Sequence, residues 1–265
     1  QCYFDMYQHK DIVPPITGDW NDNEALKEKG RIFNSDTGPN DPELIRQAQI
    51  GYYACITHVD HQIGRLLQAL IEYKVYDNTI IIFTSDHGEL LCDHKLFRKI
   101  RPYQGSINIP MIISGPEKLI GKGSRTIDEL VELRDVMPTA LDIVNYPIPN
   151  TVEGSSMLPI VRCESFVSRE YIHGEHSGGK VSNHYIVTKK DKYIWYSQTG
   201  EEQYFNLCND RKEQHNLIFN VEYKERVGYL RRLLISELTR REEGYTDGEK
   251  LIVGRTPKTC LNHIL

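Results

Sequence analysis

The sequence predicts an α/β protein with a mostly parallel sheet, followed by an antiparallel sheet subdomain packed by a long helix. The first part is indicated by a long helical pattern that leads into Thr79-Ile80-Ile81-Ile82-Phe83-Thr84. Such a short, continuous β-branched run is typical of a strand buried on both faces of a parallel sheet. The second part is indicated by short strands separated by turns and by an amphipathic pattern near the end of the chain.

Residues 1–40 are predicted to be an irregular surface segment, because prolines and glycines interrupt them. A helix is predicted from there to about Tyr73. Asn40 or Asp41 can cap this helix, and Pro42 suits its first turn. Its apolar residues recur every three or four positions, which predicts a single apolar stripe. The stripe consists of Tyr52, Cys55, Ile56, Val59, Ile63, Leu66, Leu67 and Leu70.

A second buried strand is predicted at residues 110–114, and a helix at residues 135–144. Beyond about residue 160 the pattern changes to short strands, at residues 185–187, 193–196 and 203–205. The final helix carries Val227, Leu230, Leu233, Leu234 and Leu238 on one face, with Gly244 as its stop. We therefore place the first domain at residues 1–162 and the second at residues 163–265.

Composition excludes several classes of protein. The net charge of −5 and the pI near 6.1 argue against a nucleic-acid-binding protein. No apolar stretch reaches about 18 residues, so neither a membrane span nor a signal peptide is predicted. None of the six cysteines lies in a CxxC pair, and we expect free thiols. Because the first residue is Gln1 and not methionine, we expect the chain to derive from a longer parent.

The candidate chemistry begins with Ser85-Asp86-His87-Gly88, directly after the first predicted strand. In open α/β sheets, ligands bind beyond the carboxyl ends of the strands. A carboxylate and an imidazole that are adjacent can both reach one divalent cation if the turn is tight, and Gly88 permits such a turn. Taken alone, however, the segment fits an ordinary turn better, because Asp and Gly are common turn residues.

His94 and Lys99 change that interpretation, because they follow Asp86 and His87 within one loop. A tetrahedral oxyanion such as sulfate or phosphate is bound well by a metal cation, a lysine and an imidazole that converge on it. The sequence therefore predicts an oxyanion site at this loop.

These residues, together with Tyr103, Ser106 and the 110–113 strand, resemble the sulfatase family of the alkaline phosphatase superfamily. The resemblance extends over about residues 40–245. It includes Asp135-Val136-Met137-Pro138-Thr139, Gly154-Ser155-Ser156-Met157-Leu158-Pro159, Phe205-Asn206-Leu207, Asp210, Glu213 and Asn216-Leu217. It implies the C-terminal portion of an arylsulfatase-like enzyme, with part of an alkaline-phosphatase-like sandwich as its first domain.

The resemblance also implies roles for individual residues. Asp86 and His87 would be ligands of a divalent cation, usually calcium, although a histidine ligand also suits manganese or zinc. Lys99 would contact the sulfate and the leaving-group oxygen, and His94 would lie at the substrate pocket. Near a predicted strand end, His173 and His176 flank Glu175, and His176 is a further candidate for substrate contact. Histidine and glutamate side chains at such positions are nevertheless more often exposed to solvent.

Sulfatases also need a formylglycine, made within a Cys/Ser-x-Pro-x-Arg motif, and an upstream pair of aspartates. The nearest match, Ser114-Gly115-Pro116-Glu117-Lys118, ends in lysine and follows a strand, so we interpret it as chance. We therefore expect a portion of a sulfuric ester hydrolase that is inactive alone. The alternatives are a phosphonate monoester or phosphodiester hydrolase, or a non-catalytic binding module.

We also form expectations about the cellular location and the partners of the protein. The resemblance implies a periplasmic, extracellular or lysosomal parent whose partner is a sulfate-ester substrate. Half of an α/β sheet would leave an apolar edge uncovered, which predicts self-association through the exposed sheet surface.

Overall fold

The fold is taken from a computed structural model of the chain, which describes residues 1–21 and 41–258. Asn40 and Cys260 lie outside the described residues. The chain forms two compact units. The described part of unit 1 comprises residues 1–15, 41–86 and 109–168. The described part of unit 2 comprises residues 16–21, 87–108 and 169–258. The domain boundary at 162/163 stays a prediction.

Unit 1 combines helices with a small sheet. Its helices are α1 (Cys2–Gln8), α2 (Pro42–Glu72), α4 (Glu117–Ile120), α5 (Val136–Ile143) and α6 (Leu158–Arg162). Its strands are β1 (Ile81–Thr84) and β2 (Met111–Ser114). The α/β class predicted from the sequence is confirmed. In the described part of the chain, no helix is both long enough and apolar enough to cross a membrane.

Helix α2 has the predicted bounds and the predicted cap. The Asp41 carboxylate accepts hydrogen bonds from the backbone amides of Glu43 and Leu44, which satisfies donors that the first turn leaves open. The sequence does not predict α1. This short helix forms because it packs on α2, where the Tyr7 ring stacks on Tyr53.

Strands β1 and β2 pair antiparallel, with Ile81 opposite Ser114 and Thr84 opposite Met111. The sequence predicts a mostly parallel sheet, so for these two strands the prediction of parallel pairing is wrong. Burial alternates along β2, and Phe83 and Ile112 keep 38% and 56% of their surface exposed. One face of this two-stranded sheet is thus open within unit 1, as an antiparallel pair permits. Self-association through this surface stays a prediction.

A buried carboxylate joins two motifs of unit 1. Asp135 accepts hydrogen bonds from the backbone amides of Glu132 and Ser155, at 2.9 and 2.8 Å. The Thr139 hydroxyl donates to the Asp135 carbonyl at 2.6 Å and accepts from the Met157 amide at 2.8 Å. The 135–139 and 154–159 segments that carry the family resemblance are therefore structural, because they hold the start of α5 against the start of α6.

Unit 2 is built on a four-stranded antiparallel sheet in the order β3-β4-β5-β6. Its strands are β3 (Ile172–His176), β4 (Asn183–Val187), β5 (Asp191–Tyr196) and β6 (Glu202–Asn206). Its helices are α3 (Gln104–Ile107) and α7 (Lys224–Leu238). The predicted antiparallel subdomain with its long helix is confirmed. The helix ends at Leu238 and not at Gly244, because a turn follows it and Gly244 serves a later bend with a positive φ.

The core of unit 2 lies between this sheet and α7. It contains Ile186, Tyr193, Trp195, Tyr204, Val227, Leu230, Leu234, Leu238 and Tyr245. A second buried cluster on the sheet includes Tyr103, Tyr196 and Phe205. The aromatic residues of β5 and β6 are thus packing residues, since both faces of β5 are covered.

Candidate active site

The predicted oxyanion site lies at the loop of residues 87–99 in unit 2. Five of its residues have a positive φ, which is uncommon for residues other than glycine. They are Leu91, Cys92, His94, Lys95 and Arg98. Such conformations persist only where surrounding contacts hold them, and they concentrate at functional sites. The loop therefore has the kind of rigid, enforced geometry that positions chemistry.

Glu89 supplies much of that enforcement. Its carboxylate accepts hydrogen bonds from the backbone amides of Leu91 and Arg98, at 3.1 and 2.5 Å. The Leu90 amide donates to the Arg98 carbonyl at 3.0 Å and closes the same loop. Glu89 ends the 84–89 segment that resembles the sulfatase family, but the sequence does not predict its contacts. Its partners are backbone amides, which are common to nearly all residue types.

Glycine is needed at position 88 for a different reason from the one that the sequence predicts. Its φ is not positive, so the turn itself does not require glycine. A Cβ atom at Gly88 would lie 2.1 Å from the carbonyl oxygen of Gly105, a contact that no side chain tolerates. The Gly88 amide donates to the Ser106 carbonyl at 2.7 Å, and the Ser106 hydroxyl donates to the Lys99 carbonyl at 2.7 Å. The absence of a side chain at Gly88 therefore allows α3 to approach the loop closely.

The structure brings two predicted site residues into contact. Lys99 Nζ lies 2.7 Å from His87 Nε2, and His87 Nδ1 lies 2.8 Å from the Gly88 carbonyl oxygen. An ammonium group can only donate, so Nε2 accepts and Nδ1 carries the proton that it donates to the carbonyl. This hydrogen bond orients the ring with its lone pair on Nε2, toward the lysine.

Asp86 lies two residues beyond β1 in unit 1, where its side chain is exposed and lies 3.5 Å from the Ser85 hydroxyl. The division between the units falls between Asp86 and His87. The donor types fit the predicted divalent cation. A carboxylate suits hard ions, and a metal-binding histidine usually donates its other ring N–H to a carbonyl, as His87 does. Metal binding by Asp86 and His87 stays a prediction.

His94 is buried, with 2% of its surface exposed. Its ring packs against Trp20 and Tyr103, with centroids 4.9 and 5.3 Å away. Burial lowers the pKa of its imidazole to about 4, against a smaller opposing effect of the Asp210 charge. Among the described residues its Nδ1 atom has no hydrogen-bond partner. His94 is thus a neutral packing residue of unit 2, and its predicted place at the substrate pocket stays a prediction.

His176 is the last residue of β3, opposite Asn183. Burial lowers the pKa of its imidazole, and the positive charge of Arg101 lowers it further. Its role in substrate contact stays a prediction.

A buried ion pair supports the segment that follows Lys99. Lys192 Nζ lies 2.5 Å from a Glu213 carboxylate oxygen and 2.8 Å from the Pro102 carbonyl oxygen. The other Glu213 oxygen accepts from the Gln104 amide at 2.7 Å. Burial disfavours both charges, so it lowers the pKa of Lys192 and raises that of Glu213. The sequence marks Glu213 through the family resemblance, but nothing in it pairs Glu213 with Lys192.

Two families match the chain, over ranges that overlap. Residues 12–146 match the sulfatase family, and residues 92–240 match the family described as N-sulphoglucosamine sulphohydrolase, C-terminal. An arylsulfatase of Clostridium perfringens (strain 13 / Type A) is 51% identical over 263 residues, which are 99% of this chain and 54% of that protein. The chain thus spans about half the length of the curated relatives it matches.

Solved structures agree with the fold. A protein in complex with its substrate D-glucosamine-2-N,6-O-disulfate superposes with a TM-score of 0.68 at 28% identity, over 74% of this chain and 41% of that one. A phosphonate monoester hydrolase from Silicibacter pomeroyi superposes with a TM-score of 0.76 at 23% identity, over 90% of this chain and 52% of that one. The latter likeness concerns the fold alone. The match over residues 12–146 covers half of the chain, and the chain therefore belongs to the sulfatase family.

Proposed function

We propose that the protein hydrolyses sulfate esters, and that this chain contributes Lys99, Asp86 and His87 to the site. The observation that carries the proposal is the contact between Lys99 Nζ and His87 Nε2 on an enforced loop of a sulfatase-family chain. The arylsulfatase that is 51% identical supports the same reaction. Glu89 and Ser106 act as positioning residues, because they hold the loop and the Lys99 backbone.

Each residue has a defined task in this proposal. Lys99 would place a positive charge on a sulfate oxygen and on the leaving-group oxygen, where negative charge develops in the transition state. Asp86 and the Nε2 atom of His87 would hold a divalent cation, with calcium favoured and manganese or zinc as alternatives. The cation would replace Lys99 as the partner of Nε2, which would leave the ammonium group to face the sulfate. When bound, the cation shields the sulfate charge, and the family's formylglycine supplies the attacking hydrate.

The formylglycine motif Cys/Ser-x-Pro-x-Arg does not occur among the 265 residues. We infer that the chain by itself does not turn over a sulfate ester. An assay of the 265-residue chain on 4-nitrophenyl sulfate should give no more product than its Lys99→Ala variant, with or without added calcium. Metal-dependent turnover well above that variant would overturn this inference.

A phosphonate monoester hydrolase is the second candidate, because an aspartate and a histidine such as Asp86 and His87 are compatible with that reaction as well. The two functions are separated by assaying the full-length protein. We expect a higher kcat/KM for 4-nitrophenyl sulfate than for a 4-nitrophenyl phosphonate monoester. A higher kcat/KM for the phosphonate ester would favour the second candidate and contradict sulfate-ester hydrolysis as the main activity.

A further inference from the structure

Three side chains with metal-binding atoms meet on one face of β3 and β4. Glu175 and His184 are directly opposite each other in the antiparallel register, and His173 precedes Glu175 by two residues on the same face. His184 Nδ1 lies 3.4 Å from His173 Nε2 and 3.3 Å from a Glu175 carboxylate oxygen. All three ligand atoms lie within 4.8 Å of one another. Among the described residues, no other group of three histidine, cysteine, aspartate or glutamate side chains brings its ligand atoms this close together.

The surroundings of the cluster favour its use as a ligand set. His184 is 2% exposed, and its ring packs against Trp195 and Tyr245 with centroids 5.9 and 4.7 Å away. Burial lowers the pKa of His184 to about 3, with further lowering by His173 and Arg241, so the imidazole is neutral. A neutral imidazole is the form that binds a metal. The ring is thus held in place by contacts with Trp195 and Tyr245, which lie outside the cluster.

The charges that face the cluster come from Arg241 and Glu243, in the segment that follows α7. Arg241 donates to one oxygen of Glu175 at 3.1 Å and to Glu243 at 3.0 Å. The other Glu175 oxygen is the one that faces His184. A nitrogen of a neutral imidazole carries at most one proton, so His184 Nδ1 cannot donate to both of its neighbours. A cation among the three atoms would satisfy all of them at once.

We propose that His173, Glu175 and His184 form a binding site for a divalent transition-metal ion of the zinc class. Ligand atoms about 2.0–2.1 Å from a tetrahedral zinc ion lie roughly 3.3–3.4 Å apart, which matches the two short distances. Two imidazoles and one carboxylate suit zinc, cobalt or nickel better than calcium or magnesium, which prefer oxygen ligands. The fourth position would be filled by water or a further ligand.

This site is separate from the Asp86–His87 pair and does not depend on the proposed hydrolysis of sulfate esters. It joins β3, which lies at the edge of the four-stranded sheet, to β4. The metal would therefore fix the edge strand that ends at His176, in addition to its backbone hydrogen bonds.

The test is calorimetric titration of the 265-residue chain with Zn²⁺, in the presence of excess Ca²⁺. The variants are His173→Ala and Glu175→Gln, which alter half-buried or exposed side chains and leave the buried His184 ring in place. His215→Ala is the matched control, because His215 lies 2.9 Å from Asp19 but outside the cluster. His87→Ala is the second control, because it removes a ligand of the other candidate metal site. Far-UV circular dichroism verifies that each variant is folded.

We expect one equivalent of Zn²⁺ to bind, and each cluster variant to weaken that binding by on the order of a hundredfold. Both control variants should bind as the unaltered chain does. The proposal is overturned if the folded chain binds no Zn²⁺, if the cluster variants bind it unchanged, or if His87→Ala removes the binding. Failure of the proposed hydrolase activity would leave this result unaffected, so the two proposals fail separately.

Discussion

Replacing Lys99 by alanine should lower kcat/KM for a sulfate ester by about 10²–10³-fold, the usual cost of removing one group that stabilises developing negative charge. The assay uses the full-length protein. Lys99 is exposed, and the hydrogen bond from Ser106 is to its backbone carbonyl, so the loop keeps its geometry in the variant. The loss should therefore be one of catalysis and not of folding, with the thermal midpoint little changed.

Lys95→Ala is the matched control for that experiment. Lys95 carries the same charge in the same loop and also has a positive φ, whereas the contact with His87 Nε2 is made by Lys99. A loss of the same size in both variants would show that only the overall charge of the loop matters. That outcome would remove Lys99 from the proposed site.

Glu213→Ala should destabilise the chain by about 3–5 kcal/mol, because it leaves the fully buried ammonium of Lys192 without its partner. It also removes the acceptor for the Gln104 amide. The free energy of unfolding is measured by denaturant titration followed by tryptophan fluorescence, which reports on Trp195 in the core of unit 2. The double variant Lys192→Met/Glu213→Leu should recover much of the loss, since it removes both buried charges.

Glu242→Ala provides the comparison for Glu213→Ala, because Glu242 forms an exposed ion pair with Lys258 at 2.6 Å. Exposed pairs contribute little, so this variant should unfold almost as the unaltered chain does. Equal destabilisation by Glu242→Ala and Glu213→Ala would contradict a structural role for the buried pair.

The elements that the sequence predicts well are those whose signal is local. Helix α2 has its cap, its proline and its apolar spacing within one continuous segment, and the strands of unit 2 have turns between them. Antiparallel pairing of β1 and β2 was not predicted, because an apolar strand reads the same in either direction. Helix α1 was missed because its packing on α2 involves residues far apart in the sequence.

The roles of the candidate site residues stay predictions, and the geometry around them depends on contacts that the sequence does not show. The spacing of His87 and Lys99 indicated one loop, and the structure places the two side chains in contact. His94 lies in the same loop as His87 and Lys99, but it is buried because Trp20 and Tyr103 pack on it. Glu89 accepts its hydrogen bonds from backbone amides, so the types of the residues around it do not predict them. His173 and Glu175 share a strand, but only the register of β4 brings His184 to them.

The central claim is that Asp86, His87 and Lys99 act on one sulfate group and its metal ion. A crystal structure of the full-length protein, grown with calcium and a sulfate-ester analogue, tests it most directly. We predict an Asp86 oxygen about 2.3–2.6 Å from the cation, His87 Nε2 among its ligands, and Lys99 Nζ about 3 Å from a sulfate oxygen. A cation bound without Asp86 and His87, with Lys99 away from the sulfate, would contradict the claim.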